Sequence, residues 1–169
     1  MVLLVSMMAS QAQEPLSYDF VIAKDGVSAE QIYTQLVDWI ATDFKAVDGD
    51  FYRDKEEKMI TKDVVFDFST NKLSLSWYNG KISYKLKFQC RDGRFKVELT
   101  NFIHETDLKH DPNQKCPLGL ILTEAPEPKG FGNVDDKAWV KIKEACEEEA
   151  NRIKGMLEAK SFNAKNDDW

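Results

Sequence analysis

The period of the apolar positions changes several times along this chain, and each change marks an element. In "SYDFVIAK" (Ser17–Lys24), Tyr18, Phe20 and Ile22 fall on one face of an extended segment, the signature of a half-buried strand. Ser28 and Gln31, three residues apart, have the form of a capping box and open a helix. Ile32, Leu36, Ile40 and Phe44 then recur every four residues, with Tyr33, Val37 and Val47 widening the stripe, which predicts an amphipathic helix of about four turns.

The middle of the chain returns to period two. It contains two dipeptides suited to type I′ hairpin turns, Asn79-Gly80 and Asp92-Gly93. A two-residue turn at Asn79-Gly80 sets Trp77 against Ile82, Leu75 against Tyr84 and Leu73 against Leu86. A turn at Asp92-Gly93 sets Cys90 against Phe95, Phe88 against Val97, Leu86 against Leu99, and Lys87 against Glu98. Both turns put the apolar residues on one face, and a one-residue slip would destroy that agreement. A further turn at Thr70-Asn71 extends the meander, pairing Phe68 with Leu73, Phe66 with Leu75 and Val64 with Trp77. "GDFYRD" (Gly49–Asp54) adds a short strand before it.

From Thr106 to Asn133 the periodicity stops and prolines crowd in, so a long loop is expected. A second helix follows from Asp135, with Trp139, Ile142, Cys146, Ile153 and Met156 or Leu157 along its stripe and Asn133 as N-cap. The order is strand, helix, antiparallel meander, loop, helix. One apolar sheet face and two single-stripe helices imply an α+β, two-layer sandwich with both helices on one face. Residues 13–160 form this domain, and 161–169 read as a flexible tail.

The chain has 169 residues and 43% hydrophobic content, enough for one core of this kind. A net charge of −6 disfavours general attraction to nucleic acid or anionic membrane. The apolar run from Val2 to Ala9 ends in Ser10-Gln11-Ala12, small residues at the cleavage positions of a secretory signal, although no Lys or Arg precedes it. Residues 1–12 are therefore read as a signal-peptide remnant, too short to span a bilayer, and the address as periplasmic or secreted. Cys90, Cys116 and Cys146 are odd in number and widely spaced, so at least one thiol stays free or pairs between chains.

The opening "YDFVIAKDGVSAEQIYTQLVDWI", the hairpin "LKFQCRDGRFKVELTNF" and the export-like N-terminus resemble the secreted domain-of-unknown-function proteins of Gram-negative gut bacteria described as having a TBP-like fold. The resemblance covers roughly Tyr18 to Phe102 and implies a β-α-β4-α sandwich. It brings no activity or functional residues, and a TBP-like architecture does not by itself imply DNA binding. The architecture also resembles helix-grip domains, which enclose apolar ligands between sheet and helix.

Candidate chemistry is sparse. Gly130-Phe131-Gly132 lacks the third glycine of a dinucleotide fingerprint, and Asp135 and Asp136 would repel phosphate. It reads as an entry to the second helix, with Phe131 packing back on it. His104, His110 and Cys116 could ligate zinc, or Cys116 with a histidine could serve a hydrolase, but their spacing matches no standard site. An apolar ligand between sheet and helix would meet Trp77, Tyr84, Phe131 and Trp139. On the opposite sheet face, Tyr78, Lys81, Lys85, Lys87 and Phe102 make a possible docking surface for an anionic partner, although lysines there also discourage edge and face association. The expectation is an exported, non-enzymatic binding domain without cofactor, its ligand a small molecule or an envelope protein. The alternative is a metal-dependent or cysteine hydrolase using residues 104–116.

Overall fold

The computed structural model of the chain describes residues 13–106, 118–125 and 133–163, with side chains from 136 onward in the last segment. Its elements are β1 (Tyr18–Ala23), α1 (Ala29–Asp43), β2 (Phe51–Asp54), β3 (Met59–Phe68), a 3-10 helix (Leu73–Tyr78), β4 (Gly80–Arg91), β5 (Arg94–Thr106), β6 (Gly119–Leu120) and α2 (Asn133–Ala159). The strands form an antiparallel sheet in the order β1-β5-β4-β3-β2, with β6 attached to β5. Both helices pack on one face. The α+β sandwich expected from the pattern is the one observed.

Local chemistry explains most of it. Ser28 and Gln31 form the reciprocal capping box that starts α1, and Ile32, Tyr33, Leu36, Trp39 and Ile40 are its buried stripe. Val47 does not belong to that stripe: the helix ends at Asp43, and Val47 is 67% exposed. The β4–β5 hairpin closes at Asp92-Gly93 with Gly93 at φ 74°, and pairs Cys90 with Phe95, Phe88 with Val97 and Lys87 with Glu98 in the expected register. On α2, Ala138, Ile142, Cys146, Ala150, Ile153 and Leu157 are buried at helical spacing.

The structure departs from the pattern at residues 70–80. Asn79-Gly80 is not a hairpin turn, and 73–78 is not a strand. β4 pairs instead with β3, setting Phe66 against Ile82, Val64 against Tyr84 and Ile60 against Phe88. β4 has one side free once β5 occupies the other, and the ten residues of β3 offer a longer ladder than the six of "LSLSWY". The shorter run is ambiguous in period. Its residues 73, 75 and 77 alternate, but Leu75 and Tyr78 also stand three apart, and as a 3-10 helix it buries those two and leaves Leu73 exposed. Asn79 is extended, at φ −61° and ψ 137°, and its Oδ1 accepts from the Thr70 amide at 2.8 Å. Gly80 is needed for close approach, because a Cβ there would sit 2.0 Å from the Glu105 carbonyl oxygen.

A second departure lies in β5. Ser83 pairs with Ile103 but Lys85 pairs with Thr100, so Tyr84 faces two residues, Asn101 and Phe102. This is a β-bulge, and Asn101 carries the left-handed backbone, φ 56°, that such bulges place on Gly or Asn. The extra residue reverses the facing of the rest of β5. Phe102 and His104 turn into the core, both fully buried, while Ile103 turns out.

Residues 161–163, the described start of the expected flexible tail, are held against the domain, and 164–169 lie outside the described residues. Phe162 packs on Phe95 at 5.3 Å, the Lys24 ammonium lies 4.8 Å from the Phe162 ring, and Gln35 exchanges two hydrogen bonds with the Asn163 backbone. The expected signal remnant, Phe131, His110, Cys116 and the N-cap side chain of Asn133 lie outside the described residues and side chains.

Candidate functional site

α1 starts at the β4–β5 turn, where Asp92 Oδ1 accepts from the Ala29 amide at 2.7 Å. It ends at Asp43, before the last residues of β3 have been covered, and Phe66 is only partly buried. α2 passes alongside this uncovered end. Between them lies a cleft of about 520 Å³, lined on one side by residues 66–71 and on the other by Lys141, Glu144, Ala145, Glu148, Glu149 and Arg152. The α2 residues share one helix face because they recur at three- and four-residue steps.

An ion pair between buried Glu149 and half-exposed Arg152 forms the cleft's inner corner. Glu149 accepts from the Tyr84 hydroxyl at 2.7 Å and from Arg152 through Nε at 2.7 Å and Nη2 at 2.8 Å. The fork geometry is the strong form of this contact. The bond to Glu149 raises the Arg152 pKa, and Asp43 adds to the same effect. Burial, then Glu149, pushes the Tyr84 phenol far above its usual range, so it acts as a permanent donor. Tyr84 in turn stacks on Phe102 at 5.1 Å. Nearer the rim, Lys141 pairs with Glu144. Among the described residues Asp67 and Glu148 have no ion-pair partner, so the cleft is acidic on balance.

His104 is spent on structure. Its Nδ1 accepts from the Leu118 amide at 3.1 Å, so Nε2 carries the proton and donates to the Tyr78 carbonyl at 2.8 Å. Burial lowers its pKa, which keeps the ring neutral. Both nitrogens are committed, which takes His104 out of the zinc or hydrolase constellation with His110 and Cys116. Cys90 and Cys146 are free and buried, each thiol pushed up to about 12 by desolvation, unsuited to nucleophilic work.

Of the four residues expected around an apolar ligand, Phe131 lies outside the described residues and the other three do not line one pocket. Tyr84 belongs to the ion-pair corner, and Trp77 is 49% exposed on the 3-10 helix. Trp139 donates to the Leu122 carbonyl at 3.3 Å, tying α2 to the segment after β5. Trp77 is not on the sheet at all, because 73–78 is a 3-10 helix.

The expected docking face is also redrawn. Tyr78 and Phe102 are buried, Tyr78 because the 3-10 helix turns it inward and Phe102 because of the bulge. The lysines do lie on the open face, but neighbours balance them. Lys85 pairs with Asp63 at 2.8 Å, Lys87 with Glu98 at 3.3 Å, and Lys96 with Glu98 at 2.8 Å and Asp19 at 3.3 Å. Lys81 lies opposite Asp67 in the ladder but makes no ion pair with it.

Sequence reasoning missed the cleft, because the wrong pairing of 73–78 covered the β3 edge that bounds it. The helical spacing of Lys141, Glu144, Glu148 and Arg152 was the available signal.

Residues 18–105, just over half the chain, match the domain of unknown function DUF4468, described as having a TBP-like fold. The chain belongs to the DUF4468 family. Two solved structures are similar to this DUF4468 chain along most of its length. One is a DUF4468 family protein from Bacteroides ovatus ATCC 8483, with a TM-score of 0.57 and 14% identity over 89% of this chain and 90% of that one. The other is a TBP-like protein from Parabacteroides distasonis ATCC 8503, with a TM-score of 0.52 and 14% identity over 86% of this chain and 95% of that one. At such identity the likeness shows the fold alone. Among curated proteins none matches.

Proposed function

We propose that this DUF4468 chain is an exported, non-enzymatic binding domain and that the cleft between the end of β3 and α2 is its binding site. The cleft itself carries the reading: about 520 Å³ of open space at a place where the rest of that sheet face is closed by helices. Glu149 with Arg152 and Lys141 with Glu144 hold each other in place, which suits recognition of a polar partner. An apolar small molecule is disfavoured because the space between sheet and helices is filled by one contiguous core. Export rests on the Val2–Ala9 run and its Ser-Gln-Ala boundary.

Two measurements test this. N-terminal sequencing of protein recovered from the envelope should begin at Gln13; a retained Met1 in cytoplasmic protein would remove the export half. For the site, a benzophenone side chain placed at position 144 or 148 should give a photo-adduct of defined mass in cells, and one at position 100 on the open face should not. Adducts from position 100 alone would overturn the cleft reading.

A further inference from the structure

We infer that the cleft receives an extended segment of a partner protein, which adds to the sheet as a new strand along the outer edge of β3; this rests on the cleft being the binding site. β2 is short, and its ladder with β3 runs only from Asp54 opposite Met59 to Phe51 opposite Lys62. β3 continues for six residues, Asp63 to Phe68, and on its outer side these have no strand partner among the described residues. Six residues of edge present about three N–H and three C=O groups outward, a template for one more strand. The cleft lies on that edge, since Phe66, Asp67 and Phe68 form part of its lining. A strand added there would run beneath the acidic face of α2.

The same geometry sets the chemistry of the partner. Side chains of an added strand alternate between the two sheet faces. Those on the helix side would lie beside Phe66 and reach Glu148, a position for lysine or arginine with the stem on the ring and the cation at the carboxylate. Those on the open side would lie beside Val65, 58% exposed, a position for an apolar residue. The occupant is therefore an extended segment in which basic and apolar residues alternate. A second copy of this chain fits worse, because pairing two β3 edges brings Asp63 and Asp67 of each copy together on molecules that each carry a net charge of −6.

The test uses the full-length protein, isotope-labelled for amide NMR, and three capped hexapeptide probes. One alternates lysine and valine, one alternates glutamate and valine, and the third is the lysine peptide N-methylated at alternate residues, prepared in both phases. The lysine peptide should shift amides 63–68 and slow exchange of the edge-facing ones about tenfold or more. The glutamate peptide should not bind, and one N-methylated phase should fail where the other succeeds. Replacing Glu148→Gln should weaken the lysine peptide roughly two- to fivefold. Shifts confined to α2, without protection of 63–68, would overturn strand addition and leave the cleft reading standing. So would equal binding of both N-methylated phases, or no response at about 1 mM peptide. Protection of 63–68 that grows with protein concentration alone, with a dimer mass by light scattering, would identify a second copy as the occupant and overturn the inference. The cleft reading falls separately, on the cross-linking result above.

Discussion

Replacing His104 by alanine tests the bulge and the tautomer together. The imidazole bridges the part-buried Leu118 amide and the buried Tyr78 carbonyl, and its removal takes that side-chain partner from both. Each lost hydrogen bond to a buried or part-buried backbone group costs about 1–3 kcal/mol. Lost packing against Phe68, whose ring stands edge-on at 5.9 Å, adds to this. The sum is roughly 3–5 kcal/mol, or a fall in Tm of about 10 °C for a domain of this size. The pH dependence sharpens the test. The folded state lowers the pKa of His104, whereas the unfolded chain titrates at the ordinary histidine value, about 6.5. Below that value the unfolded chain binds a proton that the folded one resists. Stability from this group is thus full above about pH 6.5 and declines as the pH falls toward the folded pKa, by at most about 1.4 kcal/mol per pH unit. Urea unfolding at several pH values between about 7.5 and 5, on wild type and His104→Ala, isolates that slope, because both proteins keep the one other histidine, His110. Equal slopes in the two proteins, or a nitrogen NMR spectrum showing the proton on Nδ1, would refute the assignment.

Gly80→Ala should destabilise more than Gly93→Ala by calorimetry, because the first drives a Cβ onto the Glu105 backbone and the second only strains a turn at φ 74°, at about 1–2 kcal/mol. An equal effect would mean that Gly80 is chosen for its torsion angles. Tyr84→Phe should cost about 1.5–3 kcal/mol in chemical denaturation, the value of a hydrogen bond to a buried carboxylate. In a Cys116→Ser background, Cys90 and Cys146 should resist a thiol reagent at pH 8 until denaturant is added, since their thiols are raised to about 12.

The parts of the fold that could be read from sequence are those where local chemistry and global pattern agree. The Ser28–Gln31 box, the α1 stripe and the Asp92-Gly93 hairpin each allow one conformation. At 73–78 two periods coexist in six residues, and only competition with β3 for the free side of β4 decides between them. That competition is a long-range effect, invisible in a local window. The bulge is hidden for a related reason. Strict alternation through Thr100 predicts Phe102 outside, and nothing but Asn101, tolerant of positive φ, marks the place where one residue is added. Both errors fell on the same side of the molecule, so the core was legible and the cleft was not.

The two walls of the cleft differ in kind. Residues 66–71 include the free end of the β3 edge and lie inside the stretch that matches the family. The wall on α2 offers side chains and lies beyond that stretch. The bulge joins them: by turning Phe102 inward it supports Tyr84, and Tyr84 holds Glu149 on the opposite wall. In strand addition the backbone edge supplies affinity, which tolerates many sequences, and the flanking pockets supply specificity. Changing the α2 face while keeping β3 should therefore alter which segment is accepted without abolishing the capacity to accept one. Exchanging Glu144 and Glu148 for lysine should turn preference from the lysine–valine probe to the glutamate–valine probe, with the same β3 amides protected. Loss of protection with both probes would mean that α2 builds the site and does not merely select its occupant.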